Sequence, residues 1–137
     1  PSTEKRFYIL DLLQKKLLLS TYVAHGRGSG DNYAVAFSNR PGSYQSSLGF
    51  FRTGDTYMGK NGYSLFLDGL EKGINDKARE RAIVVHGANY ADPAVLKGQQ
   101  RLGRSLGCPA LPPDISKQVI DTIKGGVLLY IYGLNKA

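Results

Sequence analysis

Apolar and polar positions alternate along this chain in short runs, and glycine or proline interrupts the runs at close intervals. Residues 6–23 hold two apolar runs that flank Gln14-Lys15, with aromatic and β-branched residues at both ends. That pattern predicts a hairpin, although its turn lacks an Asn-Gly pair. Residues 25–32, His-Gly-Arg-Gly-Ser-Gly-Asp-Asn, read as loop. Short strands are predicted at 34–38, 47–52, 55–58 and 64–67, separated by Gly or Pro clusters at the spacing of a sandwich or barrel. Residues 75–81 predict a short helix with Asn75 as its cap. Residues 82–86 contain Ile83-Val84-Val85, three consecutive β-branched side chains, and predict a buried strand. Residues 87–103 form a polar loop of a length that goes with function more than with packing. The strongest helix is predicted at 112–124, where Pro starts it, Ile115, Val119, Ile120 and Ile123 share a face, and Gly125-Gly126 stops it. Residues 127–132 predict a last strand. The fold class expected is mostly β, a sandwich or partly open barrel with a few short helices.

Composition narrows this picture. A length of 137 residues suits a single domain, 1–137, without linkers or repeats. With 42% hydrophobic and 21% charged residues the chain can build a core, which excludes intrinsic disorder. No apolar run reaches the ~18 residues of a membrane span. The 17 glycines and 9 tyrosines fit many turns between strands. A net charge of +7 attracts anionic polymers or surfaces without choosing among them. The cations are scattered, and the longest runs are pairs such as Lys15-Lys16, so no basic arm is present. No zinc-finger, helix-turn-helix or RNP-like pattern occurs, and a nucleic-acid partner is not expected. The opening Pro1-Ser2-Thr3 is expected to be a processed or trimmed start, so the absence of a targeting segment decides nothing about location.

Candidate chemistry gathers at Ser105-Leu106-Gly107-Cys108-Pro109-Ala110, between the polar loop and the Pro-started helix. Cys108 is the sole cysteine and cannot form an internal disulfide. Gly107 lets a substrate carbonyl approach the backbone, and the amides of Gly107 and Cys108 are candidate oxyanion donors. A thiol with a pKa near ~8.5 needs a base to act as a nucleophile at neutral pH. The chain offers two imidazoles, His25 and His86, each followed by glycine. His86 ends the apolar strand and enters the long loop, a rigid mounting for a base. Twenty-two positions separate it from Cys108, enough for the chain to run out and return. The order His before Cys is the reverse of papain-like proteases.

Val85-His86-Gly87 followed, after a loop, by Ser105-Leu106-Gly107-Cys108 resembles the signature of L,D-transpeptidases with the YkuD-type catalytic domain, a His-Gly, a spacer and a Ser/Thr-His-Gly-Cys. Ser46-Ser47-Leu48-Gly49-Phe50-Phe51 is similar to that family's Thr-Pro-x-Gly-x-Phe segment, and the opening hairpin looks like its first strands. Ala24-His25-Gly26 together with Gly-Arg-Ser-Leu-Gly-Cys-Pro-Ala looks like a divergent branch. Leu106 stands where the usual motif has His, Pro109-Ala110-Leu111 replaces the usual Arg or Asn after the cysteine, and the spacer is longer than the commonest one.

The resemblance implies a transferase without cofactor or metal, acting on peptidoglycan stem peptides outside the cytoplasm, in the periplasm or otherwise at the bacterial wall. It implies that Cys108 is the nucleophile and His86 its base, with the Gly87 carbonyl orienting the ring. It also implies acylation of Cys108 by carbapenems. Stem carboxylates call for guanidinium donors, and Arg104, Arg101 and Arg27 are the candidates, with His25 and Ser105 as further substrate contacts. Tyr57, Tyr63 and Tyr90 are candidate groove residues. Three alternatives stand beside this reading. A zinc site from His25, His86 and Cys108 lacks any recognised ligand spacing. A non-catalytic basic binding module rests on charge alone. An L,D-carboxypeptidase, or a hydrolase of wall-linked peptide, would share the same Cys-His site. The loop Gly26-Arg27-Gly28-Ser29-Gly30 lacks the Gly-Lys-Ser/Thr ending of a phosphate loop.

Overall fold

The structure, a computed structural model, describes residues 1–135. The chain opens with the hairpin β1 (Phe7–Asp11) and β2 (Lys16–Thr21), paired antiparallel with Phe7 opposite Thr21. Alternation sets its faces: Phe7 and Ile9 are buried in the main core, whereas Tyr8 and Leu10 are exposed. A five-stranded sheet follows, in the spatial order β6-β5-β4-β3-β7. Its strands are β3 (Gly49–Gly59), β4 (Gly62–Gly69), β5 (Val84–Gly87), β6 (Ala110–Leu111) and β7 (Leu128–Ile131). All pairs are antiparallel except β5 with β6. The architecture is mostly β with a single α-helix among the described residues, as the pattern predicts.

That helix, α1 (Pro113–Ile123), lays Val119, Ile120 and Ile123 on the sheet, against Phe51, Leu65, Leu67, Val85 and Leu111. Each such side chain contributes about 1.5–3 kcal/mol through burial. The end of α1 is knitted into β3. Thr53 Oγ1 donates to the Ile123 carbonyl at 2.6 Å, and the Gly125 amide donates to the Gly54 carbonyl at 3.1 Å.

Three expectations differ from the structure. The strands expected at 47–52 and 55–58 are one strand, β3, whose register shifts between Thr53 and Thr56. Three steps on β3 face two on β4, so Gly54-Asp55 is a bulge within a strand and not a turn between strands. Residues 34–38 join no ladder; Val35 N–H donates to the Ser29 carbonyl at 2.8 Å and Ser38 N–H to the Ser46 carbonyl at 3.1 Å, so loops satisfy this backbone. Residues 71–82 form successive turns and no helix. Asn75 is the reason: fully buried, it accepts from Glu71 N–H and donates to the carbonyls of Leu48 and Phe50. A side chain bound to three backbone groups competes with helical hydrogen bonding. β6, by contrast, falls where the sequence shows a loop; two residues carry no readable period.

Candidate active site

The site is organised by the parallel pair β5–β6. His86 lies opposite Ala110, and Gly87 opposite Leu111. On its other side Ala110 exchanges two backbone hydrogen bonds with Ala24, at 2.8 and 3.2 Å. One step further out, Ser105 N–H donates to the His25 carbonyl at 2.9 Å, and Arg27 N–H donates to the Ser105 carbonyl at 2.8 Å. Residues 105–110 thus arch over β5 with both feet tied to segment 24–27.

Ser105 shapes the arch from within. Its hydroxyl donates to the Cys108 carbonyl at 2.6 Å and accepts from Gly107 N–H at 3.1 Å. Gly107 has φ 127, a conformation suited to glycine. A Cβ there would also stand 3.0 Å from Ile83 Cδ1 and 3.1 Å from the Gln45 carbonyl oxygen. The loop therefore closes tightly only with glycine at this position. Because Ser105 holds the Gly107 amide, the free donor beside the sulfur is the Cys108 amide, which has no acceptor among the described residues.

Cys108 is partly exposed. Its Sγ accepts from Val84 N–H at 3.4 Å, and its S–H donates to the Ala82 carbonyl at 3.5 Å. Ala82 has φ 58, a left-handed turn that costs a non-glycine residue about 1–2 kcal/mol and aims this carbonyl at the sulfur. Burial pushes the thiol pKa up, while the Val84 amide and then Arg81 work in the opposite direction. The resting group is therefore a neutral thiol.

His86 follows Val84 by two residues, so the two side chains share a face of β5. The ring is 3% exposed, and its Nδ1 lies 2.9 Å from the Gly87 carbonyl oxygen. A carbonyl only accepts, so Nδ1 carries the proton and Nε2 is left as a lone-pair acceptor. Nε2 has no protein partner among the described residues, and no buried side-chain nitrogen or oxygen there is unpaired, so Nε2 meets solvent. The thiol and imidazole make no direct hydrogen bond in this arrangement; about one pleat of strand, ~7 Å, separates the residues that hold them. Gly87 serves a second need: a Cβ would stand 2.9 Å from Ser116 Cβ, so glycine lets α1 press onto the end of β5.

His25 lies apart from this geometry. Its Nδ1 is 2.8 Å from an Arg6 guanidinium nitrogen and its Nε2 is 3.1 Å from the Gly30 carbonyl. Burial first, then Arg6, lowers its pKa to about 4. Both ring nitrogens are occupied within the fold, so the ring is held neutral as a brace.

The arginines are also engaged. Arg104 meets Asp31 at 3.0 Å, and Arg101 approaches the same carboxylate at 3.9 Å. Arg27 lies over the Tyr44 ring, 4.5 Å from its centroid. Tyr57 stacks on Phe66, and Tyr63 donates to Asp121 at 2.6 Å. Tyr90 is half-buried, and burial, followed by the nearby Cys108, pushes its phenol up to about 12. Beside Gly87 opens a polar cleft lined by Lys60, Asn61 and Tyr63 of the β3–β4 hairpin, Asn89, and Ser116 of α1.

One residue of this neighbourhood escaped the sequence reading. Arg81 sends its guanidinium to the Ser38 and Gln45 carbonyls and to the Ser43 and Ser47 hydroxyls, at 2.7–3.2 Å. The sole hint was a cation placed directly before an apolar strand.

Among solved structures, the chain is similar to that of LD transpeptidase LdtMt1 in complex with imipenem, with 15% identity and a TM-score of 0.49. The match covers 86% of this chain and spans half the length of that one. No curated protein matches the chain. The family model described as the L,D-transpeptidase catalytic domain matches residues 1–132. With nearly all of its length matched, this chain belongs to the L,D-transpeptidase catalytic-domain family.

Proposed function

We propose that the domain is a peptidoglycan L,D-transpeptidase with Cys108 as nucleophile and His86 as general base. The observation that carries this reading is the His86 Nδ1–Gly87 hydrogen bond. It leaves Nε2 as an open acceptor on β5, the strand that pairs with β6 and whose Val84 amide meets the Cys108 sulfur. A neutral resting thiol favours general-base attack over a preformed ion pair. Attack requires the S–H to leave the Ala82 carbonyl and reach Nε2; such contacts tighten when substrate binds.

In the forward reaction, Nε2 takes the thiol proton as sulfur attacks the amide carbonyl that follows an L-centre of a stem peptide. In the usual stem this is the bond from diaminopimelate to D-alanine. The Cys108 amide faces the developing oxyanion, an effect of about 2.7–4 kcal/mol per donor in comparable sites. The imidazolium returns its proton to the departing D-alanine amine, and a thioester remains. The amine of a second stem attacks the thioester and gives a cross-link; water would give a carboxypeptidase product. The substrate lies outside the cytoplasm, at the cell wall. Gly107 supports the oxyanion site through loop shape, since its own amide is held by Ser105.

The test is the intact mass of the protein after incubation with a carbapenem, together with D-alanine release from a tetrapeptide stem. The wild type should gain one acyl adduct and release D-alanine, and Cys108→Ala should do neither. Release of D-alanine by Cys108→Ala overturns the assignment. A second stem as acceptor separates cross-linking from hydrolysis by the products formed.

A further inference from the structure

Arg81 sits on the turn that leads into β5, half-buried, with its guanidinium directed at the segment 38–47. That segment joins no ladder of its own. Four donations from Arg81 reach it: to the Ser38 carbonyl at 2.9 Å, the Ser47 hydroxyl at 2.7 Å, the Ser43 hydroxyl at 3.2 Å and the Gln45 carbonyl at 2.8 Å. The Gln45 carbonyl, in turn, lies directly under Gly107, as does the guanidinium itself: a Cβ on Gly107 would stand 3.4 Å from Arg81 Nη2. The neighbouring Tyr44 carbonyl accepts from Gly28 N–H at 2.8 Å. A single guanidinium thus holds the floor on which both the Cys108 loop and the 26–28 loop rest. Lysine has no planar fork with which to make four such bonds.

Charge gives a second, independent argument. Among the described residues no carboxylate pairs with Arg81. A half-buried cation without a counter-ion attracts whichever neighbour can become an anion. The ionisable neighbour is Cys108: its S–H donates a hydrogen bond to the carbonyl of Ala82, the very next residue, and a Cβ on the adjoining Gly107 would stand 3.4 Å from Arg81 Nη2.

We propose that Arg81 is a positioning residue for the reaction of Cys108: it fixes the Gly107–Cys108 loop through the 38–47 segment and supplies the positive charge that favours the thiolate. This rests on the reading of Cys108 as nucleophile. The other titratable groups around Cys108 are Lys60 at the β3–β4 tip, Tyr90 after β5, and His86 on β5, which lies opposite Ala110 at the end of the same loop. Of these, Lys60 is exposed and Tyr90 is neutral at physiological pH, so Arg81 is the half-buried cation that the fold places against the Gly107–Cys108 loop.

The experiment measures alkylation of Cys108 by iodoacetamide against pH, carbapenem acylation and thermal unfolding, in the full chain. In Arg81→Gln the alkylation midpoint should move up by about 1 pH unit, with a ~10-fold slower reaction at pH 7. Arg81→Lys keeps the charge, so it should restore the midpoint while acylation stays several-fold slow, because the fork is missing. If Arg81→Gln fails to fold, the double variant Ser43→Ala/Ser47→Ala removes two partners and leaves the charge; it should slow acylation several-fold without moving the midpoint. A folded Arg81→Gln, or failing that the serine variant, that alkylates and acylates as the wild type does overturns the proposal. A midpoint that shifts in a protein no carbapenem or stem peptide acylates would instead sink the transpeptidase reading and leave Arg81 in its role.

Discussion

The segments around His25 and His86 look alike as text and differ as structure. Each places an imidazole between a small or branched apolar residue and a glycine, and both touch the 105–110 arch. His25 spends both ring nitrogens on Arg6 and Gly30, while His86 spends one on the carbonyl of the next residue. The lesson is that an imidazole becomes a candidate base through what it leaves unbonded. Burial alone does not separate the two, since His25 is 7% and His86 3% exposed. Each ring meets one carbonyl, and what separates them is the Arg6 guanidinium on the second nitrogen of His25.

Four outcomes test that contrast. The largest effect is expected for His86→Ala, which should slow carbapenem acylation of Cys108 about 10²–10⁴-fold, the range for loss of a positioned general base. A loss under threefold, read by intact mass against time, would break the comparison. The second concerns pH. His25 titrates at about 4 when folded and near ~6.5 when unfolded, so the unfolded chain binds the extra proton between those values. Stability from this group is complete above ~6.5 and is lost as pH falls to about 4, by up to about 3 kcal/mol. Urea unfolding from pH 7 to pH 4 should show this slope, and a His25→Gln variant should lack it.

A smaller effect is expected for His25→Ala at pH 7. The Arg6 and Gly30 groups left behind make it less stable by about 1–3 kcal/mol. Its acylation rate per folded molecule should match the wild type; a drop beyond tenfold would move His25 into the chemistry. The smallest is expected for Asp31→Ala. It takes the carboxylate from Arg104 and Arg101, which keep their bonds to backbone carbonyls, and because Asp31 is exposed, calorimetry should show a stability change below about 1 kcal/mol. A faster reaction with stem substrates would identify these arginines as carboxylate donors held in reserve.

Much of this was legible beforehand because the signals are local. The hairpin, the strand Ile83-Val84-Val85 and the amphipathic α1 each follow from a period of two or of 3.6 within one segment. Other features were not legible because their cause lies elsewhere in the chain. Asn75 reads as a helix cap until Leu48 and Phe50 present their carbonyls to it. Thr53-Gly54 reads as a break between two strands until β4 and the end of α1 hold β3 extended through it. Arg101 and Arg104 read as free guanidinium donors until Asp31 appears beside them.

By itself the sequence determined the mostly β layering and the chemical kinds available: one thiol, two imidazoles and a glycine before the thiol. These follow from residue type and local period, which the chain carries with it. Only the tertiary structure decided which imidazole keeps an open nitrogen, which amide stays free beside the sulfur and which arginine faces it. Those outcomes depend on hydrogen bonds between segments far apart in the chain, and a bond of that kind leaves no pattern in either segment alone.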